Sequence, residues 1–207
     1  IVSRDWSSDV CSSDLETEEA ADLIRYYGEI AERNGFYDQP MGNLGDPATH
    51  PRSILRPYGV FGVIAPFNFP MALSAGPAAA ALIAGNTLVV KPAATTPLAT
   101  LKLGELIKDV LPPGVINFIA DANDLGDVLT KHPDVRKISF TGSTATGKRV
   151  MACAADSLKR VTLELGGNDA AIVLDDVDPA AAAQGIFMGA FFNSGQVCRS
   201  EEHTSEL

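Results

Sequence analysis

The sequence predicts a doubly wound α/β domain built on a parallel sheet. From Tyr58 onward, short apolar segments alternate with helical patterns, which is the order of repeated strand–helix–strand units. The early apolar segments are continuous runs, as expected for parallel strands that are covered on both faces. The length of 207 residues suits one domain with a substantial core.

The elements can be assigned in chain order. An N-terminal helix is predicted over residues 16–33, where apolar residues recur at three- and four-residue spacings, and Asn34-Gly35 ends it. Residues 35–51 are rich in Gly, Pro, Asn and Asp and predict a loop. Strands are predicted over residues 60–65, 87–91, 115–118, 137–140, 160–163 and 170–174. Helices are predicted over residues 71–84, 97–110, 124–131, 145–155 and 179–192.

The two ends of the chain are unusual because they encode each other. Residues 199–207 can be back-translated into DNA whose opposite strand, read one base in, encodes residues 7–15. That DNA resembles a common sequencing adapter, so we expect residues 1–15 and 199–207 to be translated adapter. The alternative is a polar linker or secretory segment. The adapter interpretation leaves residues 16–198 as the natural chain.

Composition excludes several classes of function. The formal net charge is −10, and about −6 without the two arginines and six acidic residues of the tails, which argues against a nucleic-acid-binding surface. Outside the tails, Cys153 and Cys198 are too few for a disulfide framework and favour a reducing compartment, the cytoplasm. No apolar run is long enough to predict a membrane span, and no metal site is expected.

A turn that ends one predicted strand and begins a helix is a candidate phosphate site. In Phe-Thr-Gly-Ser-Thr-Ala-Thr-Gly (140–147), Gly142 permits a sharp turn, and Ser143 and Thr144 lie beside free N–H groups at the helix start. The alternative is an ordinary helix start, with Ser143 or Thr144 as the N-cap.

Two further segments carry groups suited to acyl chemistry. Glu164 ends an apolar strand, at the sheet edge where α/β domains bind ligands, although it could also lie in a surface turn. Cys198 follows a Gly-containing loop and is either a nucleophile or a buried small apolar side chain. Cys153 lies within an apolar helix and is assigned the second role.

Two polar residues follow other predicted strands. Asn68 lies between prolines and aromatic residues, where its amide could donate to a developing oxyanion or could cap the next helix. Lys91 ends a strand and is either an exposed charge or a ligand contact.

Together and in this order, the motifs resemble those of the NAD(P)-dependent aldehyde dehydrogenases. The resemblance runs from about Arg52 to Cys198. It includes Pro-Phe-Asn-Phe-Pro (66–70), Leu-Pro-Pro-Gly-Val (111–115), Phe-Thr-Gly-Ser-Thr (140–144), Leu-Glu-Leu-Gly-Gly-Asn-Asp-Ala (163–170) and Gly-Gln-Val-Cys (195–198).

The resemblance implies a Rossmann-like cofactor domain over residues 58–178. A helix and connecting loop (16–57) would precede it, and the start of a catalytic lobe (179–198) would follow. The implied reaction oxidises an aldehyde to a carboxylic acid with NAD or NADP, through a thioester on Cys198. The Asn68 amide and the Cys198 N–H would hold the oxyanion, and Glu164 would activate water. The full-length protein is expected to be a homodimer or homotetramer without nucleic-acid or membrane partners, and the fragment itself is expected to be inactive.

The resemblance also implies cofactor contacts. Lys91 would contact the adenosine ribose, and the turn from Gly142 to Gly147 would contact the pyrophosphate. The residues expected to contact the cofactor are Ile64, Ala65, Pro66, Phe67, Lys91, Ala94, Gly142, Ser143, Thr144, Gly147 and Leu165.

Two positions depart from the family pattern. Phe67 stands where tryptophan is usual, and Ala94 stands where many members have a glutamate that binds the adenosine ribose. A carboxylate at position 94 would repel the extra phosphate of NADP, so Ala94 predicts that NADP is accepted. The alternative is that NAD is still preferred and is held by Lys91 and other contacts.

Two other functions are compatible with the motifs. One is an acyl-transferring or semialdehyde-reducing relative, against which Glu164 argues because a hydrolytic base serves water more than a thiol acceptor. The other is a non-enzymatic structural member of the fold. The presence of Asn68, Glu164 and Cys198 together argues against it.

Overall fold

A five-stranded parallel sheet is the centre of the fold. The computed structural model describes residues 6–167 and 170–197, and side chains from residue 15 onward. The sheet has the order β5-β4-β3-β6-β7 and every pair is parallel, which confirms the predicted class. Its strands are β3 (Val60–Ile64), β4 (Thr87–Lys91), β5 (Ile116–Phe118), β6 (Val135–Thr141) and β7 (Arg160–Glu164). A separate antiparallel pair consists of β1 (Asp38–Pro40) and β2 (Arg52–Ile54).

Helices cover both faces of the sheet. They are α1 (Trp6–Arg33), α2 (Ala72–Ile83), α3 (Pro97–Ile107), α4 (Gly126–Lys131), α5 (Thr144–Ala155) and α6 (Pro179–Phe191), with short 3₁₀ turns at Gly35–Tyr37 and Phe192–Gly195. On one face, Ala78 and Ala81 of α2 pack against Val63 and Leu88. On the other, Leu129 of α4 and Val150 of α5 pack against Ile138. Each large apolar side chain buried in this way stabilises the fold by about 1.5–3 kcal/mol.

The order of the strands creates a crevice at one edge of the sheet. The chain starts the sheet at β3, adds β4 and β5 on one side, and then returns to add β6 and β7 on the other. The connections from β3 and β6 therefore diverge to opposite sides. In open α/β sheets, ligands bind beyond the carboxyl ends of the strands at such a switch point.

Three predictions of local structure were wrong. Helix α1 begins at Trp6 and not at residue 16, since no proline or glycine interrupts the residues between. The predicted loop 35–51 contains β1, which pairs with β2 and is joined to it by an Arg52–Asp38 ion pair of 2.8 Å. Because this pairing joins separate segments, local composition does not reveal it. The adapter interpretation of the tails stays a prediction.

The third wrong prediction is the strand over residues 170–174. The described residues 170–174 have no regular structure, and Ile172 is 83% exposed. A strand needs a neighbour to satisfy its N–H and C=O groups, and the part of the chain that the structure describes places none beside this segment. The apolar run is therefore present in the sequence without forming a strand.

Among the described residues, no helix combines the length and the apolar character that crossing a membrane requires.

Candidate functional site

A cavity of about 550 Å³ lies at the crevice. The carboxyl ends of three strands contribute Ile64, Lys91 and Phe140 to its wall, and α5 contributes Arg149 and Val150. Five residues predicted to contact a cofactor line it: Ile64, Ala65, Phe67, Lys91 and Ala94. The strand ends thus bring together residues that are distant in sequence, around a space large enough for part of a dinucleotide.

Lys91 is buried and does not form an exposed surface charge. It is 3% exposed, and its Nζ lies 2.8 Å from Oδ1 of Asp121, whose side chain is fully shielded from solvent. Burial raises the pKa of the Asp121 carboxyl, but the adjacent Lys91 ammonium and the hydrogen bond from the Leu125 N–H lower it below its ordinary value. Lys91 therefore lines the cavity, and the buried Asp121 carboxylate is its counter-ion.

The predicted phosphate turn borders the cavity. Ser143 is the N-cap of α5, and its hydroxyl accepts a 3.3 Å hydrogen bond from the Thr146 N–H, so the capping interpretation is confirmed. A Cβ on Gly147 would lie 2.5 Å from the Leu165 side chain, so the start of α5 packs against the residue that follows β7. The following predicted contacts are not among the residues that line the cavity: Pro66, Gly142, Ser143, Thr144, Gly147 and Leu165. Helix α5 lines the cavity through Thr146, Arg149 and Val150 instead.

Asn68 contacts the segment that leads to Cys198. Its Nδ2 donates to the backbone oxygen of Gln196 at 2.8 Å, across 128 residues of sequence, and Asn193 donates back to the Asn68 carbonyl at 3.1 Å. Its Oδ1 accepts from the Phe69 N–H, so Asn68 does not cap helix α2 and that alternative was wrong. Cys198 itself lies outside the described residues.

The loop that carries Asn68 is held by polar side chains of three helices. Thr96, the N-cap residue of α3, donates to the Phe67 carbonyl at 2.9 Å. Ser74 and Thr100 both donate to the Pro70 carbonyl, at 2.6 and 2.7 Å. The Glu16 carboxylate accepts from the Met71 and Ala72 N–H groups at the start of α2. These bonds fix the position of the amide before any ligand binds.

Glu164 is at the same edge of the sheet but is not joined to Asn68. It is the last residue of β7, its side chain is exposed, and its carbonyl accepts from the Gly142 N–H at 3.0 Å. The structure thus brings Glu164 beside the Gly142 turn, and Asn68 beside the Cys198 segment. Glu164 and Asn68 lie at the same edge of the sheet, because each is at or just beyond the carboxyl end of a strand.

Sequence reasoning missed three functional contacts. These are Asp121 as the partner of Lys91, Asn193 as a donor to the Asn68 loop, and Glu16 as the cap of α2. For Asp121 a signal was available, because it follows closely after an apolar strand at the ligand edge. Asn193 and Glu16 carried no local signal, since their partners are remote in sequence.

The known proteins that this chain resembles are aldehyde dehydrogenases. The sequence model of the aldehyde dehydrogenase family matches residues 1–204. The chain is 44% identical over 188 residues to the mitochondrial succinate-semialdehyde dehydrogenase of Arabidopsis thaliana, covering 88% of this chain and 34% of that protein. It is 46% identical over 181 residues to the betaine aldehyde dehydrogenase of Agrobacterium fabrum, covering 86% and 36%.

A solved structure is similar in fold as well. The NAD⁺ complex of an aldehyde dehydrogenase from Bacillus cereus matches with a TM-score of 0.83 at 36% identity, over 90% of this chain and 38% of that one. The chain therefore spans about a third of the length of the curated relatives it matches.

Proposed function

Because this chain belongs to the aldehyde dehydrogenase family, we propose that it forms the cofactor-binding part of an enzyme that oxidises an aldehyde to a carboxylic acid with NAD or NADP. The single observation that carries this proposal is the 2.8 Å bond from Asn68 to Gln196, two residues before Cys198. It holds an amide donor beside the approach to a thiol, as oxidation through a thioester requires.

The residues that line the cavity suit part of a nicotinamide dinucleotide. Apolar side chains of Ile64, Phe140 and Val150 suit the faces of a base, and the buried ammonium of Lys91 suits ribose hydroxyls. The first turn of α5 adds partial positive charge near a pyrophosphate. When bound, the nicotinamide accepts the hydride that leaves the substrate carbon.

The chemistry of this chain begins with Cys198 and Asn68. The thiolate of Cys198 would add to the aldehyde carbon, forming a C–S bond and moving the π electrons onto oxygen. Asn68 Nδ2 would donate to that oxyanion, a contact worth about 2.7–4 kcal/mol where such donors have been tested. Nδ2 has two N–H groups, of which the bond to Gln196 uses one.

Glu164 would complete the reaction after the hydride has left. The product at that stage is a thioester on Cys198. Glu164 would take a proton from water as the water oxygen attacks the thioester carbon, and the thiolate would leave as the acid forms. The exposed side chain of Glu164 at the sheet edge is compatible with contact to water.

The proposed substrate is an aldehyde, and the relatives do not select one kind of aldehyde. One relative is named for succinate semialdehyde, which carries a carboxylate, and another for betaine aldehyde, which carries a quaternary ammonium. These substrates have opposite charges, so similarity to both does not select one. A cytoplasmic homodimer or homotetramer is part of this proposal.

A transient-kinetic experiment tests the proposed function. In a protein that contains this chain and a whole catalytic lobe, we expect Cys198→Ser to abolish turnover with cofactor binding retained, because an alcohol ionises far less readily than a thiol. Glu164→Gln is expected to retain a pre-steady-state burst of reduced cofactor and to slow the following steady state. Near-normal steady-state rates in Cys198→Ser would show that the nucleophile is another group.

A further inference from the structure

The end of β4 carries a buried ion pair at the wall of the cavity. Lys91 is the last residue of the strand, and its Nζ lies 2.8 Å from Asp121 Oδ1. The carboxylate is fixed from a second side, because Oδ2 accepts the Leu125 N–H at 2.9 Å, just before α4. Lys91 lines the cavity, whereas Asp121 is fully shielded and acts on the cavity only through Lys91.

In dinucleotide-binding folds, the residue at the position of Lys91 contacts the adenosine ribose. At the end of the second strand of such sheets, a carboxylate accepts the ribose 2′-hydroxyl of NAD, and a nearby cation accommodates the 2′-phosphate of NADP. Here β4 follows β3 as the second strand of the sheet, and it ends in Lys91. An uncompensated lysine at this place would be a phosphate ligand.

The surrounding charges do not favour a phosphate. Arg149 lines the same cavity but lies 3.4 Å from Asp127, which also pairs with Lys131. Asp124 is a further lining carboxylate. When the paired Asp121 and Lys131 are included, three cations and three carboxylates lie at this cavity, so no excess of positive charge faces a phosphate. A 2′-phosphate brings between one and two negative charges, whereas a 2′-hydroxyl brings none.

We propose that Asp121 directs cofactor choice toward NAD by compensating the charge of Lys91. This rests on the proposed function, since it requires that the cavity take the adenosine half of the cofactor. The Lys91 ammonium has three N–H donors, of which Asp121 and the Pro92 carbonyl at 3.4 Å engage two, so one is left for a neutral hydroxyl. Asp121 is thus a positioning residue that acts on the pocket through Lys91.

Two nucleotides that differ only in the 2′-phosphate provide the test. The dissociation constants of 5′-AMP and adenosine 2′,5′-bisphosphate are measured by calorimetry on the 207-residue chain and its variants. We expect the unsubstituted chain to prefer 5′-AMP, and Asp121→Asn to shift the ratio of the two constants about tenfold or more toward the bisphosphate. Asparagine retains the size of the side chain and an acceptor for the Leu125 N–H, and circular dichroism checks that the variant is folded.

The control is Asp109→Asn, which removes an exposed carboxylate that does not line the cavity and does not touch the ion pair. Its ratio is expected to change by less than about threefold, since an exposed charge outside the cavity is screened by solvent. In the unsubstituted chain, added salt should weaken the preference for 5′-AMP because it screens the repulsion. This second measurement does not depend on the folding of any variant.

The outcomes separate the two proposals. If both nucleotides bind and Asp121→Asn leaves the ratio unchanged, or weakens both equally, Asp121 has only a structural role and the inference is wrong while the cofactor site stands. A preference of the unsubstituted chain for the bisphosphate also overturns the inference alone. If neither nucleotide binds the unsubstituted chain, the cofactor site and the inference both fail.

Discussion

At the scale of single residues, the amide of Asn68 is oriented by two hydrogen bonds. Nδ2 donates to the Gln196 carbonyl at 2.8 Å, and Oδ1 accepts from the Phe69 N–H at 3.1 Å. The donor is therefore directed toward the Cys198 segment, and the acceptor is used by the backbone. This orientation is compatible with the proposed role of Asn68 as an oxyanion donor.

Replacing Asn68 with aspartate tests this role. The side chain has the same shape but loses the N–H donors, so we expect kcat to fall about 10²–10³-fold. Nicotinamide cofactor affinity is expected to change little, because Asn68 is not among the residues that line the cofactor cavity. Steady-state kinetics and cofactor titration, in a protein with a whole catalytic lobe, measure both quantities. A kcat within about threefold of the unsubstituted enzyme would assign the oxyanion to other donors.

At the scale of elements, α2 takes its N-terminal cap from another helix. The N-cap residue of α2 is Met71, and its side chain makes no capping hydrogen bond. The Glu16 carboxylate of α1 accepts from the Met71 and Ala72 N–H groups instead. The two helices also pack through small side chains, with Ala20 against Ala72 and Ala75. The cap and the close packing together fix the helix that follows the Asn68 loop.

Removing this cap is expected to destabilise the domain. Glu16→Ala should lower the free energy of unfolding by about 1 kcal/mol, the usual cost of losing a helix N-cap. Glu16→Gln retains an acceptor but loses the charge beside the positive end of the helix, so its cost should be about 0.3–1 kcal/mol. Urea unfolding followed by circular dichroism measures both. Exposed Glu18→Gln on the same helix is the control, and a Glu16→Ala effect no larger than that control would mean that the cap does not stabilise the fold.

At the scale of the whole molecule, the C-terminal part of the described chain has uncovered apolar surface. No residue of α6 is buried, and Phe187 and Phe191, 60% and 57% exposed, contact only each other as ring partners among the described residues. Leu174 is 66% exposed. Patches of this kind belong against another surface, and the relatives that the chain matches are about three times longer.

The 207-residue chain is therefore expected to show no aldehyde oxidation and to bind a hydrophobic dye such as ANS. The reason is that α6 has no buried residue in the described chain, and that the chain spans about a third of the length of its relatives. Reduced cofactor is measured by its absorbance after mixing the purified chain with NAD or NADP and an aldehyde. Robust turnover would contradict this prediction. A longer protein that includes the lobe should lose the dye fluorescence.

The sequence by itself determined the elements whose causes are local. The continuous apolar run of β4 predicted the bounds of that strand without error. Ser143 was one of two candidate N-caps, because a hydroxyl at a strand–helix turn satisfies a free N–H, and the structure selects it. The order of motifs indicated the family. The roles assigned to Cys198 and Glu164 stay predictions, as does the tolerance of NADP inferred from Ala94.

Only the tertiary structure decided the features that join remote segments. The sequence left open whether Lys91 was exposed or bound a ligand, and the fold buries it against Asp121. It left open whether Asn68 capped a helix, and the fold assigns that cap to Glu16. It predicted a strand over residues 170–174, which needs a neighbour that the described chain does not place there. Apolar periodicity and capping act within a few residues, whereas ion pairs, ladders and remote caps depend on which segments meet in space.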